Sequence, residues 1–475
     1  MIFNSLQFFL FFVVVTTLYF LLPHRYRWML LLASSCYFYM VFIPIYILIL
    51  GFTIVIDYFA GILIEKTEGA TKKKLLILSL VTNIGVLSFF KYYNFLNHNL
   101  SVLIHSIGYQ SPIPHLDILL PLGLSFHTFQ AMSYNIEVYR GKQKAERHFG
   151  IYALYVMFYP QLVAGPIERP QNLIHQFYEK HEFDYDRIVE GLKLMLWGFF
   201  MKLVIADRLA IYVNAVFDNT WQHSGKTYAL AIFFFSFQIY CDFAGYSNIA
   251  IGAAKVMGFK LMTNFNRPYF SRTISEFWRR WHISLSSWFR DYLYKSLGAN
   301  RISVTRWYLN LLFVFIIVGL WHGANWTYIV FGALNGFYII FAIVTSKWRK
   351  KLNKLVFLDR FPKLNNVLQI VVTYLLVCFA GIFFRANSVI DSFHIAKNVL
   401  LFSGDLFVDK STLSYSFTAL AILLLIEFKE EYYLHSPLPF KTNHWLQEHL
   451  AYSVLIILIL VLGVFDGGQV IYFQF

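Results

Sequence analysis

The sequence predicts an all-α, polytopic membrane protein, and its composition and apolar runs carry that prediction. Of its 475 residues, 58% are hydrophobic and only 14% are charged, whereas soluble domains carry roughly 25% charged residues. Apolar runs that approach the roughly 20 residues of a spanning helix recur along the chain. These runs are continuous rather than alternating, and a spanning backbone must satisfy its own hydrogen bonds, so helices are favoured over a β-barrel.

The basic residues are concentrated between the apolar runs. A net charge of +14 would suggest nucleic-acid binding in a soluble protein, but here the positive-inside bias explains it without a nucleic-acid partner. His24, Arg25 and Arg27 follow the first run, residues 6–22, which places the N-terminus outside and the next loop in the cytoplasm. The first run lacks a basic n-region and a cleavage site, so we interpret it as a span rather than a signal peptide.

Between residues 150 and 252 the number of apolar runs conflicts with the positive-inside bias. Three runs follow one another there, residues 151–164, 188–206 and 228–251. If all three crossed the membrane, the strongly basic segment 252–306 would lie outside, against the positive-inside bias. One run must therefore be re-entrant or interfacial, and we expect this of residues 188–206, because Glu190, Lys193 and Lys202 interrupt them.

Later runs complete the predicted bundle. Residues 368–384, 413–428 and 451–464 read as spans, which leaves residues 467–475 outside. The sequence has no internal repeat and no low-complexity linker, so we expect one domain over residues 1–475.

The segment FWRRWHISLSSWFRDYLY, residues 277–294, is predicted to be an amphipathic helix. Thr273 and Glu276 form a capping box ahead of it. A helix from Ile274 onward gives two faces, with Trp281, Leu285, Trp288 and Tyr292 on one and Arg279, Ser286 and Arg290 on the other. Such a segment suits a juxtamembrane anchor, or a basic surface that binds an acidic cytosolic donor.

A second polar cluster, LWHGANW at residues 320–326, interrupts an apolar run. Residues 307–320 would extend about 21 Å as a helix, against a hydrocarbon core of roughly 30 Å, which places His322 within the membrane. Gly319 and Gly323 flank it and Asn325 follows, so we expect a helix break or a close backbone approach. An ionisable residue at this depth indicates function, with a satisfied structural histidine as the alternative. Its imidazole could act as a general base for a hydroxyl that attacks a thioester.

The sequence contains no motif for redox, metal-dependent, phosphate-binding or serine-hydrolase chemistry. CxxC, HExxH, P-loop and GxSxG patterns are absent, and no metal site is predicted. We interpret the three cysteines, Cys36, Cys241 and Cys378, as small core residues.

Several long sequence motifs resemble those of the membrane-bound O-acyltransferase (MBOAT) superfamily, in its bacterial alginate O-acetyltransferase-like branch. They are PQLVAGPIERP (160–170), YCDFAGYSNIAIG (240–252), NFNRPYFSRTISEFWRRWHISLSSWFRDYLY (264–294), LWHGANW (320–326), FFRA (383–386) and IYFQF (471–475). The resemblance implies a bundle of about 11 transmembrane helices around a tunnel, with the catalytic region at about residues 264–341. It implies that His322 is the essential catalytic histidine and His282 the second histidine of this branch.

The resemblance and the basic helix together give further expectations. We predict a donor-binding or tunnel-lining role for Arg279, Arg280, Trp281, Ser286, Arg290, Asp291, Trp321 and Asn325. No cofactor is expected to be bound, and the donor would be acetyl-CoA or an acyl carrier protein. The acceptor would be an extracytoplasmic polysaccharide, reached directly or through an extracytoplasmic acetyltransferase partner, from a protein surrounded by lipid in the bacterial inner membrane.

Three other functions remain open from the residues and the resemblance. One is D-alanyl transfer to teichoic acid, which acetyl transfer outweighs because of the length and the IYFQF ending. The others are a transporter or channel, and a structural subunit that performs no chemistry.

Overall fold

A computed structural model describes residues 1–117, 120–408, 410–433, 440 and 444–465, and all regular structure within these ranges is helical. Eight described helices are long and apolar enough to cross a membrane by length and composition, and the apolar helix Leu6–Leu21 is shorter. The all-α, multi-pass class is confirmed, while the total of about 11 spans stays a prediction. The IYFQF ending, residues 471–475, lies outside the described ranges.

The chain packs as two compact units. The first consists of Met1–Leu192 and Ala250–Met262. Its helices are α1 Leu6–Leu21, α2 His24–Met40, α3 Tyr46–Lys66, α4 Gly69–Ser106, α5 Leu124–Tyr139, α6 Phe149–Met157, α7 Tyr159–Leu162 and α8 Pro170–Leu173. The helix α9, Tyr185–Phe199, begins in this unit.

The second unit consists of Lys193–Ile249 and Thr263–Phe475. Its helices are α10 Asp207–Phe217, most of α11 Gly225–Met257, α12 Ile274–Arg280, α13 Ile283–Trp288, α14 Val304–His322, α15 Trp326–Val344, α16 Ser346–Leu355, α17 Pro362–Arg385, α18 Val389–Leu401, α19 Lys410–Tyr432 and α20 Trp445–Leu462. Two π-helical segments, Phe200–Ala206 and Phe289–Tyr294, also belong to it. The division by packing leaves the one-domain expectation untested.

A buried carboxylate joins three helices of the first unit. Asp57 on α3 accepts hydrogen bonds from Ser79 and Asn83 on α4, at 2.7 and 2.8 Å, and from Asn135 on α5 at 2.8 Å. Because all four side chains are buried, the neutral donors compensate a charge that would otherwise be costly in an apolar bundle. This cluster fixes α3, α4 and α5 together.

Of the two runs before residue 207, residues 151–164 differ from the prediction, because they were not expected to be interrupted. Residues 151–164 do not form one helix, because α6 ends at Met157 and Pro160 lies in the first turn of α7. Residues 188–206 form α9 and then a π-helical segment that leads directly into α10. Neither run holds a helix that meets the length and hydropathy of the eight candidate spans, so two runs depart from simple spanning helices where we expected one.

A buried ion triad explains why Lys202 is tolerated in the second of these runs. Its Nζ lies 2.8 Å from Asp207 and 2.5 Å from Asp242 on α11. Burial alone would lower the pKa of Lys202, but the two carboxylates raise it, so the side chain remains charged. The triad ties the π-helical segment to α11 within the second unit.

The helices α14 and α15 form the hairpin that carries His322. A Cβ at Gly319 would lie 2.1 Å from the carbonyl oxygen of Tyr328, so only glycine permits this approach. The helix α14 ends at His322, Gly323 is extended, and Asn325 caps α15 by accepting a hydrogen bond from the Thr327 N–H at 3.1 Å. The predicted break and close approach are both confirmed.

Candidate active site

The segment around His282 is a broken helix rather than a continuous one. Thr273 caps α12 as predicted, accepting from the Glu276 N–H at 3.0 Å, but α12 ends at Arg280. His282 takes left-handed backbone angles, φ 41° and ψ 56°, before α13 begins. The prediction of one helix from Ile274 onward is therefore wrong. The residues of the predicted apolar face are all buried, namely Trp281, Leu285, Trp288 and Tyr292.

Asn264 stabilises this break by accepting hydrogen bonds from the backbone of the turn. Its carbonyl oxygen accepts from the Ile283 N–H at 2.9 Å, and its side-chain Oδ1 accepts from the Ser284 N–H at 3.3 Å and the Ser284 hydroxyl at 2.9 Å. Its Nδ2 donates to Ser247 on α11 at 3.1 Å. A left-handed conformation costs energy for a residue other than glycine, and these bonds compensate for it.

The same asparagine orients the His282 ring. Nδ1 of His282 lies 3.2 Å from Oδ1 of Asn264, and because an amide oxygen only accepts, Nδ1 carries the hydrogen. The basic nitrogen of His282 is therefore Nε2. Burial lowers the pKa of His282 well below its usual value, and His322 lowers it further, so the ring is neutral near pH 7.

His322 is held by the end of its own helix. Its Nδ1 lies 2.7 Å from the carbonyl oxygen of Val318, so Nδ1–H donates and Nε2 is again the basic nitrogen. The side chain is buried, with ring centroids of Phe331 and Phe384 at 5.9 and 5.3 Å. Counted from Val304, His322 lies about 27 Å along α14, nearer the far end of a spanning helix than the sequence estimate.

The structure brings the two histidines together, although 40 positions separate them in the chain. The ring of Trp321 lies 5.8 Å from that of His282 and 5.0 Å from that of His322. The arrangement offers two imidazoles, each with Nδ1 engaged as a donor and Nε2 as the proton acceptor.

His322 lines a narrow, mainly apolar cavity of about 50 Å³. Aromatic side chains form much of its wall, among them Trp278, Trp281, Phe331 and Phe384. A wall of this kind excludes water from the space beside His322 and strengthens electrostatic interactions inside it.

A larger groove of about 360 Å³ lies in the same unit, within the usual size range of small-molecule sites, ~300–1,000 Å³. Arg279, Ser286 and Arg290 line it, so the predicted polar face does converge on one space. Trp278 lines both this groove and the His322 cavity, and its indole N–H donates to Asn335 at 3.1 Å. This groove, which we call the cationic groove after Arg279 and Arg290, and the His322 cavity are therefore adjacent at Trp278.

The remaining predicted residues lie elsewhere around the site. Arg280 pairs with Glu276 and Glu431 at 2.8 and 2.9 Å, and Asp291 pairs with Lys295 at 2.7 Å and with Arg290. Trp281 lines the His322 cavity, Trp321 contacts both histidines, and Asn325 caps α15. Donor binding by these side chains stays a prediction.

Sequence reasoning missed the polar shell of His282, which Asn264, Ser247 and Ser284 form. Asn264 is the first residue of the family motif at residues 264–294. Helical periodicity does not identify it, because it lies in a non-helical segment. The only signal was a turn-forming residue just ahead of an amphipathic segment. Within the described ranges, no group of three or more His, Cys, Asp or Glu side chains could hold a metal ion.

Comparison with known proteins identifies relatives along most of the chain. Residues 148–384, which contain both histidines, match the model of the membrane-bound O-acyltransferase family, MBOAT. The chain is 40% identical over 391 residues to the probable alginate O-acetylase AlgI of Pseudomonas aeruginosa, covering 82% of this chain and 72% of that protein. It is 34% identical over 401 residues to the peptidoglycan O-acetyltransferase of Helicobacter pylori, covering 79% and 74%.

A more distant relative is the teichoic acid D-alanyltransferase of Bacillus subtilis, 28% identical over 286 residues, covering 58% of this chain and 70% of that protein. The identity and coverage of the acetyl-transferring relatives are higher than those of this D-alanyl-transferring one. Together with the family match across the whole region of the two histidines, they establish that the chain belongs to the membrane-bound O-acyltransferase family.

Proposed function

We propose that this protein is a membrane O-acetyltransferase that moves an acetyl group from a cytosolic thioester to hydroxyl groups of an extracytoplasmic polysaccharide or cell-envelope polymer. The observation that carries the proposal is a buried His322, with Nε2 as its basic nitrogen, in an apolar cavity next to a cationic groove. The relatives named for acetylation of alginate and of peptidoglycan support the same reaction.

The reaction is a balanced acyl transfer. Nε2 of His322 takes the proton from the acceptor hydroxyl as its oxygen attacks the thioester carbonyl carbon. The C–S bond then breaks, a C–O ester bond remains, and the proton passes to the leaving thiolate. Because His282 stays neutral, it does not oppose the transient positive charge on His322.

The donor would bind in the groove. Arg279 and Arg290 present two exposed cations there, which suits the phosphates of acetyl-CoA or the acidic surface of an acyl carrier protein. The thioester must pass Trp278 to reach His322. The narrow cavity favours a two-carbon acyl group over the larger D-alanyl group.

Location and partners follow from this scheme. A cytosolic donor and an outer acceptor require a protein in the bacterial cytoplasmic membrane. An extracytoplasmic acetyltransferase could take the acyl group from this protein and pass it to the polymer.

The test uses the full chain, purified and reconstituted in lipid nanodiscs with radiolabelled acetyl-CoA and oligosaccharide acceptors. Donor-dependent, covalent labelling of the acceptor or of the protein is expected, with loss of labelling in His322→Ala. Mass spectrometry of cell-envelope polymers from cells with and without the protein would identify the acceptor and the acyl group. Loss of D-alanyl instead of acetyl groups, or transport without any acyl donor, would contradict the proposal.

A further inference from the structure

The helix α16 differs from every other element of the second unit described above, because it contributes no buried residue. Its ten residues, SKWRKKLNKL, carry five basic side chains and no acidic one. The basic side chains are Lys347, Arg349, Lys350, Lys351 and Lys354, and all are exposed. Arg349 donates to the carbonyl oxygen of Ala342 on α15 at 2.6 Å. A helix without buried residues nevertheless receives little stability from the protein core, so a partner outside the described residues is needed to cover its apolar side chains.

The apolar residues of α16 form one stripe. Trp348, Leu352 and Leu355 are spaced four and three residues apart, which places them on one helical face. They are 76%, 55% and 74% exposed, so the packing of the described residues leaves this stripe uncovered. The basic side chains lie beside and opposite the stripe, in the pattern of helices that lie flat in a lipid interface.

The connections of α16 keep it at a membrane surface. Only Thr345 separates it from the end of α15 at Val344, and α17 begins at Pro362. Both neighbours are candidate spans, so a helix between them cannot move far from the plane where the two spans end. The positive-inside bias assigns this surface to the cytoplasm.

We propose that α16 is a binding surface for anionic phospholipid headgroups, with its apolar stripe inserted at the acyl boundary and its lysines on the phosphates. Charge complementarity carries this assignment, because α16 has four exposed lysines, Arg349 and no acidic residue, and the cytoplasmic leaflet is rich in acidic lipids. The tryptophan suits the same depth, since indole rings concentrate at the headgroup level. The inference does not depend on the acyl-transfer reaction.

The test compares lipid retention by full-length protein. Wild type and a Lys350→Gln, Lys351→Gln, Lys354→Gln variant are extracted from vesicles of equal parts phosphatidylglycerol and phosphatidylcholine. Lipids that remain bound are then counted by native mass spectrometry. Wild type should retain phosphatidylglycerol at least about three-fold over phosphatidylcholine, and the glutamine variant should lose most of that preference. The matched arginine variant, with the same three lysines changed to arginine, should keep it, as should Lys397→Gln on α18.

A second measurement tests the apolar stripe. Lipids brominated along the acyl chain should quench part of the tryptophan fluorescence of wild type, and the Trp348→Phe variant should lack that part. Unchanged phosphatidylglycerol preference in the glutamine variant, or no quenching attributable to Trp348, overturns the proposal. The proposal would also be overturned if the glutamine variant lost binding to an acidic carrier protein while it retained phosphatidylglycerol as wild type does. The partner of α16 would then be a protein.

Discussion

His282 and His322 contact the same tryptophan, yet they are held by different means. A shell of neutral polar side chains from three chain segments surrounds His282, whereas the Nδ1–H of His322 donates to a carbonyl of its own helix and the ring lies among aromatic side chains. A polar shell sets the orientation and tautomer of a ring, while an aromatic wall sets its dielectric surroundings. The difference fits the proposal that His322 performs the proton transfer while His282 shapes the electrostatic field around it.

The strongest test of this distinction removes the imidazole of His322. His322→Ala should lower acetyl transfer by about 10²–10⁴-fold, the usual contribution of a general base. Transfer is measured in nanodiscs, and insertion and folding are checked by thermal unfolding. His449→Ala, at an exposed histidine on α20, serves as the control and should keep full activity. Wild-type turnover in folded His322→Ala would exclude the general-base role.

A smaller effect is expected when the shell of His282 is changed. Asn264→Leu removes the acceptor of Nδ1–H and leaves buried donors unsatisfied, at a cost of about 1–3 kcal/mol. If this free energy were lost entirely from the stabilisation of the transition state, kcat would fall by roughly 5–150-fold.

The variant Asn264→Asp keeps an acceptor but adds a negative charge, which should raise the pKa of His282. Its activity should exceed that of the leucine variant, and the acid limb of its pH–rate profile should move to higher pH. Equal losses in both variants, with unmoved profiles, would reduce Asn264 to a purely structural residue.

The cationic groove should affect donor affinity more than turnover. Arg279→Gln with Arg290→Gln should raise the KM for acetyl-CoA several-fold, since exposed ion pairs contribute up to ~1 kcal/mol each, and should leave kcat nearly unchanged. Arg301→Gln removes an exposed cation outside the groove lining and should have little effect. A fall in kcat at constant KM would assign the arginines to the chemistry instead.

The smallest expected effect concerns stability at acid pH. Because the folded pKa of His282 is lowered, the unfolded chain binds an extra proton below its ordinary pKa of about 6.5. Folding stability attributable to His282 is therefore intact above pH 6.5 and falls as the pH drops, by about 1.4 kcal/mol at pH 5.5.

The variant His282→Gln removes this term. Between pH 7.5 and 5.5 its thermal midpoint should fall less than that of wild type, by about one to two degrees in scanning fluorimetry. Parallel curves for the two proteins would show that His282 is protonated in the folded state or that it is not buried.

The fold class, the depth of His322 and the polar face at Arg279, Ser286 and Arg290 could be predicted from local patterns, whereas His282 was singled out only by the family resemblance. Long apolar runs mark spanning helices, and Arg279, Ser286 and Arg290 follow helical spacing closely enough to converge even across a break. A histidine between glycines in an apolar run marks a site by its contrast with its neighbours.

The break itself and the shell of His282 could not be predicted, because they depend on tertiary contacts. Local propensity favours a continuous helix through Trp281 and His282, and the competing bonds come from Asn264, at least 18 positions away in the chain. The interruption of residues 151–164, by contrast, has a local signal in Pro160, which lies in the first turn of α7.

The left-handed backbone of His282 makes this position suitable for chemical complementation. Glycine adopts such angles without steric cost, so His282→Gly would remove the imidazole while preserving the course of the chain. The vacated space, bordered by Asn264 and Phe243, has the shape of the lost ring. Free imidazole added to that variant could then supply the missing side chain, and restored turnover would separate the chemical contribution of the ring from its contribution to folding.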